Sequence, residues 1–214
     1  MSLIEERPQT LGEEIANSLS HGAGLIAAVV AVPFLLVAAS RLPAASIVGA
    51  SVFAATMILL YLTSTLYHAL PRGRAKRVFM KLDHGAIYLF IAGSYTPFTL
   101  GVLHGAWGWT LFGLVWGLAA LGILLKAFGR LSHPWVSTAL YLAMGWLVLI
   151  AVVPLVRSVE PAGVALLVAG GLAYSAGCIF YLLDNRLRYA HAVWHGFVVA
   201  GSGFHYFAVF GYAA

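Results

Sequence analysis

Apolar residues run in seven long stretches, near residues 21–40, 46–69, 82–103, 107–126, 134–156, 161–182 and 190–212, with polar residues gathered in short connections between them. About 20 consecutive apolar residues make a helix long enough to cross the hydrocarbon core of a bilayer. The pattern therefore predicts an all-α integral membrane protein in which residues 1–214 form a single seven-transmembrane helix bundle. The connections leave no room for a soluble domain, and no internal repeat is visible. Ahead of the first stretch, Thr10 followed by Glu13 has the form of a capping box, and Leu11, Ile15 and Leu19 recur at helical spacing. A short amphipathic helix near 10–19, lying at the membrane surface and leading into the first span, is the expectation.

Composition agrees: the chain is 62% hydrophobic and 9% charged, which excludes an ordinary soluble globule. The N-terminal segment carries four glutamates and lacks a basic leader, so it does not read as a signal peptide. Cys178 is the sole cysteine, so no intrachain disulfide can form. With seven spans, ten of the twelve Lys and Arg residues fall on the side of the N-terminus, and Arg41 and Arg157 alone fall on the other. The positive-inside rule then puts the N-terminus in the cytoplasm and the C-terminus outside. The net charge of +5 reflects this topology and contact with anionic lipid. It gives no reason to expect a nucleic-acid partner.

Polar residues within the spans converge under that topology. Glu13, Asn17 and His21 share one face at the cytoplasmic start of the first span, and the second span ends there with Ser64 and His68 one turn apart. The third begins there with Asp83, whose face also carries Ser94. The seventh begins there with His191 and His195, whose four-residue step stacks two imidazoles on one face. His68, Asp83, His191 and His195 thus come to one depth in the inner leaflet. Ionisable side chains inside a membrane are expensive unless satisfied, and metal-binding residue types at a common level point to a metal site. Three imidazoles with one position left for water match catalytic zinc better than structural zinc. His205 and Ser202 continue the His191 face, but His205 lies about 20 Å further along the helix, too deep for the same ion. His104 and His133 read as loop residues, and His84 points away from the face of Asp83. Pro33, Pro97 and Pro154 are candidate kinks. Trp107, Trp109, Trp135 and Trp194 sit near span ends, where aromatic belts form, and the small residues of 169–177 suit close helix packing.

Glu13, Asn17 and His21, the serine and histidine of STLYH, the aspartate of LDHGAIYLFIAGSYTPF and the HAVWH of the last span together resemble the haemolysin III family. That family is the bacterial branch of the progestin and adiponectin Q receptor (PAQR) superfamily, akin to alkaline ceramidases. The resemblance implies a seven-helix bundle in the bacterial inner (plasma) membrane, with zinc held by His68, His191 and His195 and with Ser64 and Asp83 near the metal. It also implies a role in membrane-lipid homeostasis and fluidity. The short tails of this chain argue against a receptor for a protein hormone.

The expected function is a zinc-dependent hydrolase acting on an amide or ester of a membrane lipid, with Asp83 and Ser64 as catalytic residues. Asp83 would orient and deprotonate water beside the metal, and Ser64 would hydrogen-bond the oxyanion. The main alternative is a lipid-responsive sensor in which zinc clamps the helices. A transporter or proton path along His205, Ser202 and Ser94 is a further alternative. A membrane di-iron desaturase would need several histidine clusters where this chain has one HxxxH. A cytolysin would need a soluble state that so apolar a chain lacks.

Overall fold

A computed structural model describes residues 7–131 and 133–213. Among these, all regular structure is helical: α1 Leu11–Ala39, α2 Ala44–Ala69, α3 Arg74–Thr96, α4 Gly105–Ala127, α5 Pro134–Gly145, α6 Val152–Ser158, α7 Pro161–Leu183 and α8 Ala190–Tyr212. Among the described residues, six segments are long and apolar enough to cross a membrane: Leu11–Ala39, Ala44–Ala69, Arg74–Val102, Gly105–Ala127, Pro134–Ser158 and Pro161–Leu183. Helix α8 has 23 residues, as many as α4. It falls outside this set because His191, His195 and His205 dilute its apolar character.

The capping box at the start of α1 is formed. Glu13 N–H donates to Thr10 Oγ1 at 3.3 Å, and Thr10 N–H donates back to Glu13 Oε2 at 2.9 Å. Residues 11–19 are not a separate helix but the first turns of the 29-residue α1. Leu11, Ile15 and Leu19 are 78%, 50% and 68% exposed, whereas Glu13, Asn17 and His21 on the opposite face are fully buried. This inverts the arrangement of a water-soluble helix, and Ile26, Val30, Phe34 and Val37 continue the apolar exterior. An apolar outside around a polar inside is what a lipid solvent selects.

Two of the three candidate prolines mark irregular backbone. Pro97 lacks the N–H that would continue α3, and the chain passes into a π-helical stretch, Pro97–Val102, closed by Leu103 N–H to Phe98 O at 2.8 Å. Gly49 of α2 lies against that proline; a Cβ there would come within 2.7 Å of Pro97 Cα. The fifth span breaks after Gly145 into a 3-10 segment, Leu147–Ala151, before α6, in which Pro154 lies. Helix α1, by contrast, runs through Pro33 unbroken.

A break in hydrocarbon leaves backbone groups that must find partners. The Tyr95 hydroxyl supplies them: it donates to Met144 O (2.9 Å) and Gly145 O (2.7 Å) and accepts from Val148 N–H (3.0 Å). Tyr95→Phe removes all three contacts at once and should destabilise the bundle by about 1–3 kcal/mol, the usual cost of orphaned buried polar groups. Thermal unfolding in detergent of the variant against the wild type checks this, and an unchanged midpoint would show that the break is held by something else.

The bundle closes by packing α1 on α2 and α8, α2 on α3, α3 on α4, and α7 along α8. Helix α1 thereby stands beside both helices that carry the histidines.

Candidate metal centre

Three helices and one loop build the centre. Helix α2 ends in Ser64 and His68, α8 opens with His191 and His195, α1 supplies Glu14, Asn17, Ser20 and His21, and the α7–α8 loop supplies Asp184. One ligand atom from each of His68, His191 and His195 lies within 4.8 Å of the other two, and all three residues are buried. Their ring centroids are 4.7–5.1 Å apart.

What orients the rings is the other nitrogen of each. His68 Nδ1 is 2.8 Å from Glu14 Oε2, and His191 Nδ1 is 2.9 Å from Asp184 Oδ2. His195 Nδ1 is 3.1 Å from the Asn17 carbonyl oxygen. It also meets Ser20 Oγ at 3.0 Å, whose own hydrogen goes to Asn17 O. Carboxylates and carbonyls only accept, so each Nδ1 carries the proton and donates. Each Nε2 is left with a bare lone pair, and the Nε2 atoms of His68, His191 and His195 are buried with no partner among the described residues. Three orphaned lone pairs at one point would cost free energy in a dry interior. A cation satisfies all three together, and an imidazole anchored through its far nitrogen is the usual form of a metal-ligating histidine.

Asp83 and Ser64 come to the same place but stand outside the set that can hold a metal. Asp83 is buried and lines a cavity together with His21 and Trp194. Ser64 Oγ is 2.7 Å from His21 Nδ1, and the His21 ring stacks on His195 with centroids 3.5 Å apart and planes at 9°. His205 is distant from the cluster, as its position along α8 requires; His104 and His133 are exposed loop residues. Trp107, Trp109 and Trp135 face outward, but Trp194 packs between Tyr181 and the two histidines of α8, so it belongs to the site and not to a belt.

Sequence reasoning passed over Glu14, Asp184, Gln9 and Ser20. Glu14 looks like the acidic first turn of a helix and Asp184 like a loop acid; only the proximity of Asp184, seven residues before His191, was a usable signal. Gln9 Nε2 donates to both Asp184 oxygens at 3.0 Å. Arg7 donates to Glu13 Oε2 at 3.0 Å and through its backbone to Asn185 Oδ1 at 3.0 Å. The Glu13 carboxylate also raises the proton affinity of the Arg7 guanidinium above its ordinary value. Glu13 Oε1 further accepts from the backbone N–H of Tyr189, which opens α8 in the left-handed conformation with φ 61°. The segment before α1 therefore straps the loop whose aspartate holds His191.

One cavity is lined by His68 and His191, and a second begins at the neighbouring His21 and Asp83. The first is polar, of about 280 Å³, and is lined by Gln9, Glu14, His68, His84, Asp184 and His191. The second is apolar, of about 110 Å³, and reaches into the bundle from His21 and Asp83, past Ile87, Phe90 and Trp194, to His205.

The family profile described as "Haemolysin-III related" matches residues 9–206. This chain belongs to the haemolysin III family. It is 45% identical over 204 residues to the "Hemolysin-3 homolog" of Bacillus subtilis, covering 95% of each chain. It is 44% identical over 205 residues to "Hemolysin-3" of Bacillus cereus, covering 95% of this chain and 93% of that one. More distantly it is 28% identical over 174 residues to the human "Monocyte to macrophage differentiation factor", covering 77% of this chain and 70% of the other. That likeness supports membership of the PAQR superfamily. No solved structure matches the chain. With its six apolar helices, this haemolysin III chain is a multi-pass membrane protein.

Proposed function

We propose that the protein is a zinc-dependent hydrolase of a membrane-lipid amide or ester, working in the bacterial inner membrane in the service of lipid homeostasis. One observation carries the reading. Three histidines anchored through Nδ1 leave bare Nε2 atoms in one buried cluster, with His68 and His191 on the polar cavity and His195 stacked on the His21 that opens the apolar one. An all-imidazole set of three suits zinc with a position left for substrate or water. Zinc there would supply Lewis acidity, polarising a carbonyl and acidifying water.

The protein's own groups do the rest. The apolar cavity takes a lipid tail and holds its linkage at the level of Asp83. The Asp83 carboxylate accepts the proton of the attacking water and can return it to the leaving group. Where His21 donates its Nδ1–H to Ser64, the serine hydrogen is free to bond the oxygen that gains charge. Walls of Phe90, Ile87 and Trp194 keep bulk water from the tail side.

The topology that serves this chemistry has α8 as a seventh span, the N-terminus in the cytoplasm and the C-terminus outside. A reporter fused after Ala214 should then be active only outside the cytoplasm; activity inside would reverse the orientation.

A sensor is the second reading, favoured by a specific feature. Both α2 and α8 pack on α1 and touch each other little, so a metal on His68, His191 and His195 would clamp helices that otherwise meet through a third. Incubating zinc-loaded protein in bilayers of N-acyl and O-acyl lipids separates the two. Release of free fatty acid supports the hydrolase, and no release from either class rejects it in favour of the sensor.

A further inference from the structure

The apolar cavity that starts at Asp83 ends at His205, and a second cavity of about 120 Å³ adjoins it there. Tyr95, Trp146, Gly171 and His205 line both. Nearly every polar group along these walls is spent on the protein itself. Ser94 Oγ donates to Ile91 O at 2.8 Å, Tyr95 serves the broken helix, and Trp146 Nε1 donates to Ser175 Oγ at 3.0 Å. Tyr174 OH is 3.0 Å from Ser202 Oγ.

His205 is different, as is His21 at the other end of the cavity, whose Nε2 is also without a partner among the described residues. The Nε2 of His205 lies 3.3 Å from Leu167 O, a carbonyl that can only accept, so that nitrogen carries the proton. Its Nδ1 is then a bare acceptor, buried and without a partner among the described residues. The ring is fixed at this spot by its neighbours. It meets Tyr174 edge-on at 5.3 Å, and it fits against α7 only because position 170 is glycine, where a Cβ would lie 2.3 Å from His205 Cδ2.

We infer that His205 Nδ1 is a recognition point for a hydroxyl carried on the chain of the bound lipid. A buried acceptor in an apolar wall selects a donor, and a site built to bond a hydroxyl rejects the analogue that lacks it more strongly than an apolar pocket rejects an extra one. The expected position of the hydroxyl follows from geometry and rests on the proposed placement of the lipid linkage at the histidines. From His195 to His205 the rise along α8 is about 15 Å. An extended chain advances about 1.2 Å per bond, as an extended peptide does, so the hydroxyl falls roughly 12 carbons from the carbonyl. The ligand class is a long-chain acyl lipid bearing a mid-chain hydroxyl.

The test is displacement of a fluorescent fatty acid from the purified, metal-loaded full chain in detergent, by 12-hydroxyoctadecanoic acid and by octadecanoic acid. Wild type should prefer the hydroxy acid by about three- to tenfold, the worth of one net hydrogen bond. His205→Leu should bind the two acids equally, with octadecanoic acid held at least as well as by wild type. Gly171→Leu covers the case in which the His205 variant fails to fold. It fills the space beside the histidine, where an added Cβ meets nothing closer than the Trp146 ring at 3.5 Å, and should weaken both acids alike. Equal binding of the two acids by wild type overturns the inference, as does a preference that survives His205→Leu, which would place the hydroxyl on a water or elsewhere. Either result leaves lipid hydrolysis untouched. A hydroxyl preference in a protein that releases no fatty acid would keep the subsite and reject the hydrolase.

Discussion

His195→Ala should empty the metal centre. The wild-type protein is expected to purify with about one zinc per chain on the three-histidine geometry, and the alanine variant with essentially none after gel filtration. Of the three histidines, His195 is the most deeply set: it is 0% exposed, held from α1 by Asn17 O and Ser20, and stacked on His21. Its loss removes a donor atom and leaves two lone pairs, which hold an ion much less tightly than three. His68→Ala and His191→Ala should act alike. The groups behind the ligands should show a graded effect. Glu14→Ala and Asp184→Ala leave every Nε2 in place but free a ring to turn, which typically weakens metal binding about 10–100-fold. His104→Ala, in an exposed loop, should change nothing. Metal analysis of the purified series checks the order, and full zinc retained by His195→Ala would reject the centre.

Asp83→Asn should separate chemistry from metal binding. The carboxylate stands beside the histidines without joining the set that can hold an ion, so the amide should keep most of the zinc. What it loses is the atom that accepts a proton, and a missing general base slows such reactions by about 10²–10⁴-fold. The expected result is therefore near-normal metal content with fatty-acid release reduced by that factor. Loss of both together would mean that Asp83 holds the ion or the fold. Release unchanged in Asp83→Asn and in His68→Ala would show that any activity comes from elsewhere.

Sequence by itself determined the class of solvent and the local faces. Apolar runs of span length leave no way to fold in water, and the capping box fixes where α1 begins, because both depend only on residues close in the chain. The four-residue steps from Ser64 to His68 and from His191 to His195 likewise place each pair on one face, whatever the helices pack against. Counting spans also led to the expectation that His68, His191 and His195 lie together, and they do meet in the structure. Hydropathy carried less far for α8, where the residues that make the site are the ones that dilute the signal of a span.

Tertiary structure alone decided the rotation of each helix about its axis, and with it which nitrogen of each histidine is free. That choice is made by Glu14 against His68, Asp184 against His191 and the Asn17 carbonyl against His195, two of the three being contacts between distant parts of the chain. No local pattern encodes those two distant pairings, because they arise only once α1 packs against both α2 and α8. The same holds for the strap from Arg7 and Gln9, for the stack of His21 on His195, and for the break at Gly145, which is stable only because Tyr95 of another helix satisfies it. The cavities are the space these packings leave, and the same packing leaves the two nitrogens of His205 unlike, one bonded and one bare.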